Sequence, residues 1–392
     1  MNEVKVLLGL IREAINQQGK TDFECSFDEE KMAKIIKKQS LVSLIWPVMA
    51  KQEDEKWKEF SKKLENKYNQ AIFKSLMQQM EIDTFLSVMQ KKNYECLPLK
   101  GWIMKNYYPA AEMRSMTDFD VLLRDFKYED LKKIMEGLGY EADLTDDEHH
   151  DVYIKKPSTV IELHKRLSDY ELENETPQID EWLDDIWTKC RPQEGAKGIY
   201  VLNHEDFYIY HIIHMYKHFR SSGCGIRPLI DIYVFMQKFE NNLDWSYLDH
   251  TLSGMNLERF EKSMRGLSER CFAAEKVVLT LEEKKLLYFM VSGGLFGTEQ
   301  VNETNKIVRT GNSTFFGKKI AAVFAIAFPP MDGMNKKYPF LKKAPFLLPV
   351  FWIIRIVGSI FSGNRRLKVF VKGGSKKEVN KMEEIFKIAG IK

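Results

Sequence analysis

Hydrophobic positions recur at helical spacing through residues 1–92, switch to a short-strand pattern from Tyr94, and return to helical spacing in the second half of the chain. Val4, Leu7, Leu8, Leu10 and Ile11 form one apolar face, and Phe27-Asp28-Glu29-Glu30 opens a second helix running to about Val48. A longer helix is predicted between Glu55 and Gln90, where Phe60, Leu64, Ile72, Leu76 and Met80 recur. A strand near Tyr94–Leu99 then leads into a helix that opens at Gly101 and closes before Pro109. A loop carrying Glu112 and Arg114 precedes a strand over Asp118–Leu123, and a helix over Tyr128–Gly137 is ended by Gly139. Strands over Tyr140–Leu144, Val152–Lys155 and Thr159–His164 complete a small mixed sheet, which makes an α/β or α+β unit. After an acidic linker (Asp169, Glu171, Glu173, Glu175) and Trp182 and Trp187, a short strand at Gly198–Leu202 and helices over Phe207–Phe219 and Ile226–Phe239 are predicted, with further helices through Phe289. Two apolar runs, Ala321–Phe328 and Phe346–Phe361, lie near the end. The pattern divides into a helical region at 1–92, a core at 93–168, a helical domain at 169–300, and a C-terminal region at 301–392.

The chemistry concentrates in the core. Asp118 and Asp120 share one side of a strand, roughly 6–7 Å apart at the backbone. Glu162 lies in a second strand, with His164 on the same face by the same period. Carboxylates within otherwise apolar strands are costly unless paired or bound to a cation, so three of them from two strands point to a divalent-metal site. Lys100-Gly101 ends a strand and opens a helix, where a backbone without a Cβ and unpaired N–H groups suit a phosphate; a plain strand-to-helix turn is the other reading. Arg114, four residues before Asp118, is either a bidentate clamp on a polyphosphate or a surface cation of the loop.

Charge changes the picture at the tail. Residues 301–392 hold 18 Lys and Arg against 5 Asp and Glu, about +13, leaving 41 against 51, about −10, for residues 1–300. The five cysteines (Cys25, Cys96, Cys190, Cys224 and Cys271) are scattered without a Cys-x-x-Cys pair, which argues for a reducing, cytoplasmic setting and against a thiolate zinc site. The N-terminus leads directly into a helix pattern and reads as lacking a signal peptide. The Phe346–Phe361 run holds sixteen residues with Pro349 and Arg355 inside it, short of the roughly 20 that span a bilayer. Arg355, Ser359 and Ser362 share one stripe, and Lys342-Lys343 and Arg365-Arg366 flank the run. Burial against the rest of the chain and a peripheral membrane contact through 341–366 are both compatible with that pattern, as is a partner protein. Nucleic acid ranks lower as a partner, because aromatic residues are not interleaved with the basic ones for base stacking.

The order Leu99-Lys100-Gly101, Tyr108-Pro109, Arg114, Asp118-Phe119-Asp120 with its apolar continuation, then Ile161-Glu162-Leu163-His164, resembles a bacterial family of uncharacterised nucleotidyltransferases in the DNA polymerase β-like superfamily, over roughly Glu55–Phe239. The resemblance implies the minimal nucleotidyltransferase fold, a small mixed sheet flanked by helices, with helical N- and C-terminal additions. It implies Asp118, Asp120 and Glu162 as catalytic residues and ligands of Mg²⁺, with Mn²⁺ as a substitute, and Lys100, Gly101 and Arg114 as the grip on the triphosphate. The reaction implied transfers a nucleoside monophosphate from an NTP to an acceptor, with release of pyrophosphate; it leaves the acceptor open. Where the superfamily has Gly-Ser or Gly-Gly at the phosphate-binding helix, this chain has Gly101-Trp102. That departure motivates a second reading, a catalytically inactive nucleotide- or partner-binding protein with a membrane-surface C-terminal helix.

His211, His214 and His218 fall on one face of a helix at spacings that match no common zinc site. The run from His211 through Arg227 to Asp231 looks like the helical segment that follows the catalytic module in this family. His214, His218, Arg227 and Asp231, together with His164 and with His150 (or its neighbour His149), are therefore the candidates for lining the cleft or contacting the acceptor.

Overall fold

The computed structural model describes residues 2–17, 26–144, 150–157, 159–168, 176–273, 278–295, 297–310, 314–329, 331, 334, 338–361 and 374–391. The chain divides into two compact units, one of residues 1–217 and 225–295, the other of residues 218–224 and 296–392.

The first unit is built on a five-stranded sheet. Its strands are β1 (Glu95–Pro98), β2 (Phe119–Arg124), β3 (Glu141–Leu144), β4 (His150–Lys155) and β5 (Thr159–His164), in the spatial order β1-β2-β5-β4-β3. β2 and β5 run parallel and the other pairs antiparallel, so the sheet is mixed, as the pattern predicts. One face is apolar: Phe119, Val121, Leu123, Tyr153, Ile161 and Leu163 are buried in a single core. That core also takes Ile82, Phe85 and Met89 from a long helix, and Leu131 and Met135 from the helix Tyr128–Gly137. Alternation along β5 is complete, with Thr159, Ile161 and Leu163 buried and Val160, Glu162 and His164 half-buried on the other side. A small antiparallel pair, β6 (Cys190–Pro192) with β7 (Tyr200–Leu202), joins β1 through an isolated bridge between Cys96 and Ile199.

The helices are α1 (Asn2–Asn16), α2 (Glu29–Gln39), α3 (Val42–Met49), α4 (Glu55–Lys91), α5 (Gly101–Met104), α6 (Tyr128–Gly137), α7 (Pro177–Asp184), α8 (His204–Ser221), α9 (Arg227–Phe239), α10 (Trp245–Gly254), α11 (Glu258–Phe272) and α12 (Leu281–Gly293). Asp28 caps α2 by accepting from the Lys31 N–H at 3.0 Å, as its acidic start suggests. The helix does not continue to Val48. It stops at Ser40, which takes a left-handed conformation (φ 51°), and α3 starts afresh. The break has a tertiary cause: Arg227 collects the carbonyl of Ser40 at 3.0 Å, and the buried Gln39 amide bonds the carbonyls of Met290 and Val291. α4 has the predicted length but not one continuous apolar face. Trp57, Phe60 and Leu64 are buried at its start and Ile82, Phe85 and Met89 near its end, whereas Phe73, Leu76 and Met80 are exposed between them.

In the second unit, α13 (Glu299–Val308), α14 (Phe315–Ala327), α15 (Leu348–Phe361) and α16 (Lys376–Ile388) are described. Its core holds Ile307, Ala322 and Val379, with Phe315 packed against it, and α16 opens on a Ser375/Glu378 capping box. Among the described residues, no helix is long and apolar enough to cross a membrane. The acidic linker of residues 169–175, together with His149, Cys25, Ser362, Arg365 and Arg366, lies outside the described residues.

Candidate active site

Strand register creates the site. Parallel pairing sets Asp120 beside Glu162 and Leu122 beside His164, while β4 sets His150 opposite His164. Since successive side chains alternate, Asp120, Glu162, His164 and His150 all stand on the sheet face away from the apolar core. One ligand atom each from Asp120, Glu162 and His164 lie within 4.8 Å of one another. Asp118 lies one residue before β2, and the same register carries it two residues further down the strand from Glu162. Among the described residues, the converging donors are thus two carboxylates and an imidazole, with the Asp118 carboxylate outside that trio.

Lys100 reaches over the strand end from the β1–α5 turn. Its ammonium donates to Asp120 Oδ1 at 2.6 Å, and His164 Nε2 lies 2.8 Å from the same oxygen and 3.8 Å from Glu162 Oε2. The Lys100 backbone has φ 48° and ψ −119°, a conformation that favours glycine and costs a side-chain-bearing residue about 1–3 kcal/mol. Such strain persists where surrounding contacts hold it, and here the ion pair with a carboxylate only 3% exposed does so. Gly101 is needed for a different reason: a Cβ there would overlap Nη1 of Arg114 and press on Met116. Of the helix predicted after it, α5 supplies four residues, continued by a 3₁₀ turn through Tyr107.

The electrostatics divide the acids into distinct roles. Burial pushes Asp120 up, but Lys100 and His164 outweigh it and hold this carboxylate well below its usual range. Burial raises Asp118, and repulsion from Asp120 adds to it. Glu162 is pushed up to about 7, first by burial and then by the two aspartates. Burial lowers His164 despite its contact with Asp120. Lys100 is raised above its usual range: burial opposes its charge, and Asp120 more than restores it. This donor set suits a divalent cation, with carboxylate oxygens and a ring nitrogen converging at one place. The Lys100 ammonium neutralises Asp120 in this structure.

Because Glu162 favours its protonated form when folded, the metal-free protein is expected to lose stability as pH rises from the ordinary carboxylate value, 4.5, through about 7. Glu162→Gln should flatten that decline. Thermal unfolding in chelator between about pH 5 and 8 tests this, and an unchanged slope would contradict it.

The remaining sequence candidates separate. Arg114 is not splayed over a surface; its Nε and Nη2 both donate to Asp231, each at 2.9 Å, and Tyr108 Oη donates to Asp231 Oδ1 at 2.8 Å. Asp231 is 1% exposed, so it positions Arg114 rather than lining a cleft. Arg227 is buried as well, and donates to the carbonyls of Ser115 and Ser40 and to Ser115 Oγ at 2.9–3.0 Å. Burial and the neighbouring Arg114 bring its pKa down to about 10. His150 is half-buried with its ring 5.3 Å from that of His164. His214 stacks with Tyr210 at 6.4 Å on α8, and His218 falls in the segment that groups with the second unit. His211 is half-buried with its Nε2 3.4 Å from the Pro228 carbonyl, and desolvation lowers its pKa.

Tyr210 is the residue that sequence reasoning missed. It is buried, and its phenol is held far above its usual range by burial, with Lys100, Asp120 and Glu162 close enough to act on it. The available signal was weak: an aromatic directly before His211 and one turn from His214 on the same helix. Cys96, Cys224 and Cys271 are buried and Cys190 half-buried; all four are free thiols, each pushed up to about 12 mainly by burial.

A small mixed sheet flanked by helices, with an acidic cluster on the face opposite its core, is the architecture of a nucleotidyltransferase core. Over residues 26–273 the chain matches the family described as uncharacterised nucleotidyltransferase, and it belongs to that family. No curated protein and no solved structure matches it.

Proposed function

We propose that the first unit is a divalent-metal-dependent nucleotidyltransferase that moves a nucleoside monophosphate from an NTP to an acceptor hydroxyl or phosphate. The observation that carries this reading is the convergence of Asp120, Glu162 and His164 within 4.8 Å beside Lys100, in a chain of this family. Asp120 and Glu162, with His164 as a nitrogen donor, would hold Mg²⁺ or Mn²⁺, and Asp118 would complete the acidic wall on the substrate side. A bound ion there supplies charge neutralisation at the α-phosphate and on the departing pyrophosphate.

The chain's own groups supply the rest. Lys100 sits where its ammonium can pass from Asp120 to a phosphate oxygen, and Arg114 Nη1 beside Gly101 adds a second positive group. In the transfer, the acceptor oxygen bonds to the α-phosphorus, the bond to pyrophosphate breaks, and the acceptor's proton passes to Asp118, which lies outside the ligand trio and whose pKa is raised by burial and by Asp120. Tyr210 on α8 is buried within reach of the charges of Lys100, Asp120 and Glu162, and burial strengthens such interactions.

The test is direct. The purified full chain, incubated with α-labelled NTPs, Mg²⁺ or Mn²⁺ and cell extract, is expected to deliver label to an extract component and release pyrophosphate. Nucleotide binding without transfer under any of these conditions would favour the inactive binding protein motivated by Trp102; neither binding nor transfer would remove both readings.

A further inference from the structure

Among its described residues, the second unit carries two exposed apolar stripes. On α14, Phe316, Ile320 and Phe324 follow one another at every fourth residue and are 77%, 58% and 61% exposed. The opposite side of that helix is the one that packs, through Phe315 and Ala322 into the core and through Lys318 onto Glu383. The second stripe begins just before α15 and runs along it: Phe346, Val350, Ile353 and Ile354, spaced four, three and one apart, are all exposed. Here too the inward side is occupied. Trp352 packs its ring on Phe328 at 5.4 Å and donates to the Pro329 carbonyl at 2.9 Å, while Phe351 packs on Tyr338 and Phe340. Trp352 therefore ties α15 to the end of α14, and the exposed faces are what remains after both helices have been packed.

Folded proteins rarely leave apolar residues of this size and number in water without a partner. The charge around them selects the partner. Between Thr304 and Lys377 the sequence holds 15 Lys and Arg and a single acid, Asp332. Lys319 is on α14 itself, Lys343 is exposed just before the second stripe, and Arg355 is on α15. A second copy meeting this face through the same stripes would bring like charge against like charge, and an apolar protein groove would leave the excess of cations unanswered. An anionic lipid surface answers both features. Helices with an apolar face and flanking cations lie at the headgroup boundary, held by buried apolar area and by attraction to the lipid charge.

We propose that α14 and the Phe346–Ile354 stripe form a monolayer-inserting surface that docks the protein on an anionic bilayer without crossing it. The proposal is independent of nucleotidyl transfer. Its test uses the full chain and sedimentation with vesicles of phosphatidylcholine alone or containing phosphatidylserine. The parent is expected to co-sediment with the phosphatidylserine vesicles and to be partly released by high salt. The exposed-residue variant Phe316→Ser/Phe324→Ser/Ile353→Ser should fall to background binding while keeping the parent's circular dichroism. Lys319→Glu/Lys343→Glu, which leaves the apolar stripes whole, should lose the preference for phosphatidylserine. Three results would overturn the proposal: no co-sedimentation of the parent, equal binding by the serine variant, or parent self-association that the serine substitutions abolish while vesicles are ignored.

Discussion

Asp120→Asn is expected to lower Mn²⁺ affinity by more than about 100-fold, because loss of a direct ligand exceeds the loss that second-shell changes produce. Label transfer from α-labelled NTP should disappear with it. The substitution keeps the shape of the side chain but removes the charge on which Lys100 Nζ, at 2.6 Å, and His164 Nε2, at 2.8 Å, both converge. It also changes Glu162, since repulsion from Asp120 is the largest charge effect on that residue after burial. Titration of the metal by calorimetry, together with the transfer assay, measures both consequences. Mn²⁺ affinity within about threefold of the parent would show that the cluster is a structural ion-pair network and not a metal site. A second variant, Lys100→Met, separates the two: it leaves the carboxylates in place, so metal affinity should be kept or raised while NTP affinity falls.

Asp231→Asn is expected to destabilise the first unit by about 3–5 kcal/mol, the range for breaking a buried ion pair by removing one partner. The penalty comes from what is left behind: Arg114, with both its bonds to Asp231 at 2.9 Å gone, and Tyr108, whose hydroxyl donated to the same carboxylate at 2.8 Å. Chemical denaturation of the parent and variant measures it. The pH dependence adds an independent check. Burial raises Asp231, but Arg114 and its bonds outweigh that and hold the folded pKa below the ordinary 3.8. Its contribution is therefore complete above the ordinary value and lost as pH falls below it, and Asp231→Asn should lack that share of the acid limb. A cost under about 1 kcal/mol, typical of exposed pairs, would mean that the network is open to water and that Asp231 is free to face a substrate.

Three parts of the chain show how far residue pattern reaches. Where secondary structure is local, it was legible: the Asp28 cap, the full length of the helix Tyr128–Gly137, and the strands Val152–Lys155 and Thr159–His164 follow from capping chemistry and two-residue alternation. The membership of Glu162 and His164 on one face was legible for the same reason. The end of α2 at Ser40 was not, because it is set by the side chains of Gln39 and Arg227 engaging groups far away in the sequence. Nor was the exposure of Leu76 and Met80, since helical spacing marks a stripe but does not say whether a neighbour covers it.

The site divides along the same line. The sequence by itself determined the α+β core, the strands that carry the acids, the cationic tail and the membership in a nucleotidyltransferase family, because these depend on periodicity, residue chemistry and short motifs. Only the tertiary structure decided which acids meet: the parallel register of β2 on β5 puts Asp120 against Glu162 and His164 and leaves Asp118 a step away. It also turned Arg114 and Asp231, 117 residues apart in the chain, into one bonded pair, and placed Tyr210 close enough to Lys100, Asp120 and Glu162 for their charges to act on it. Register and long-range pairing arise from how separate elements dock against a shared core, and a linear pattern of polar and apolar residues holds no record of that docking.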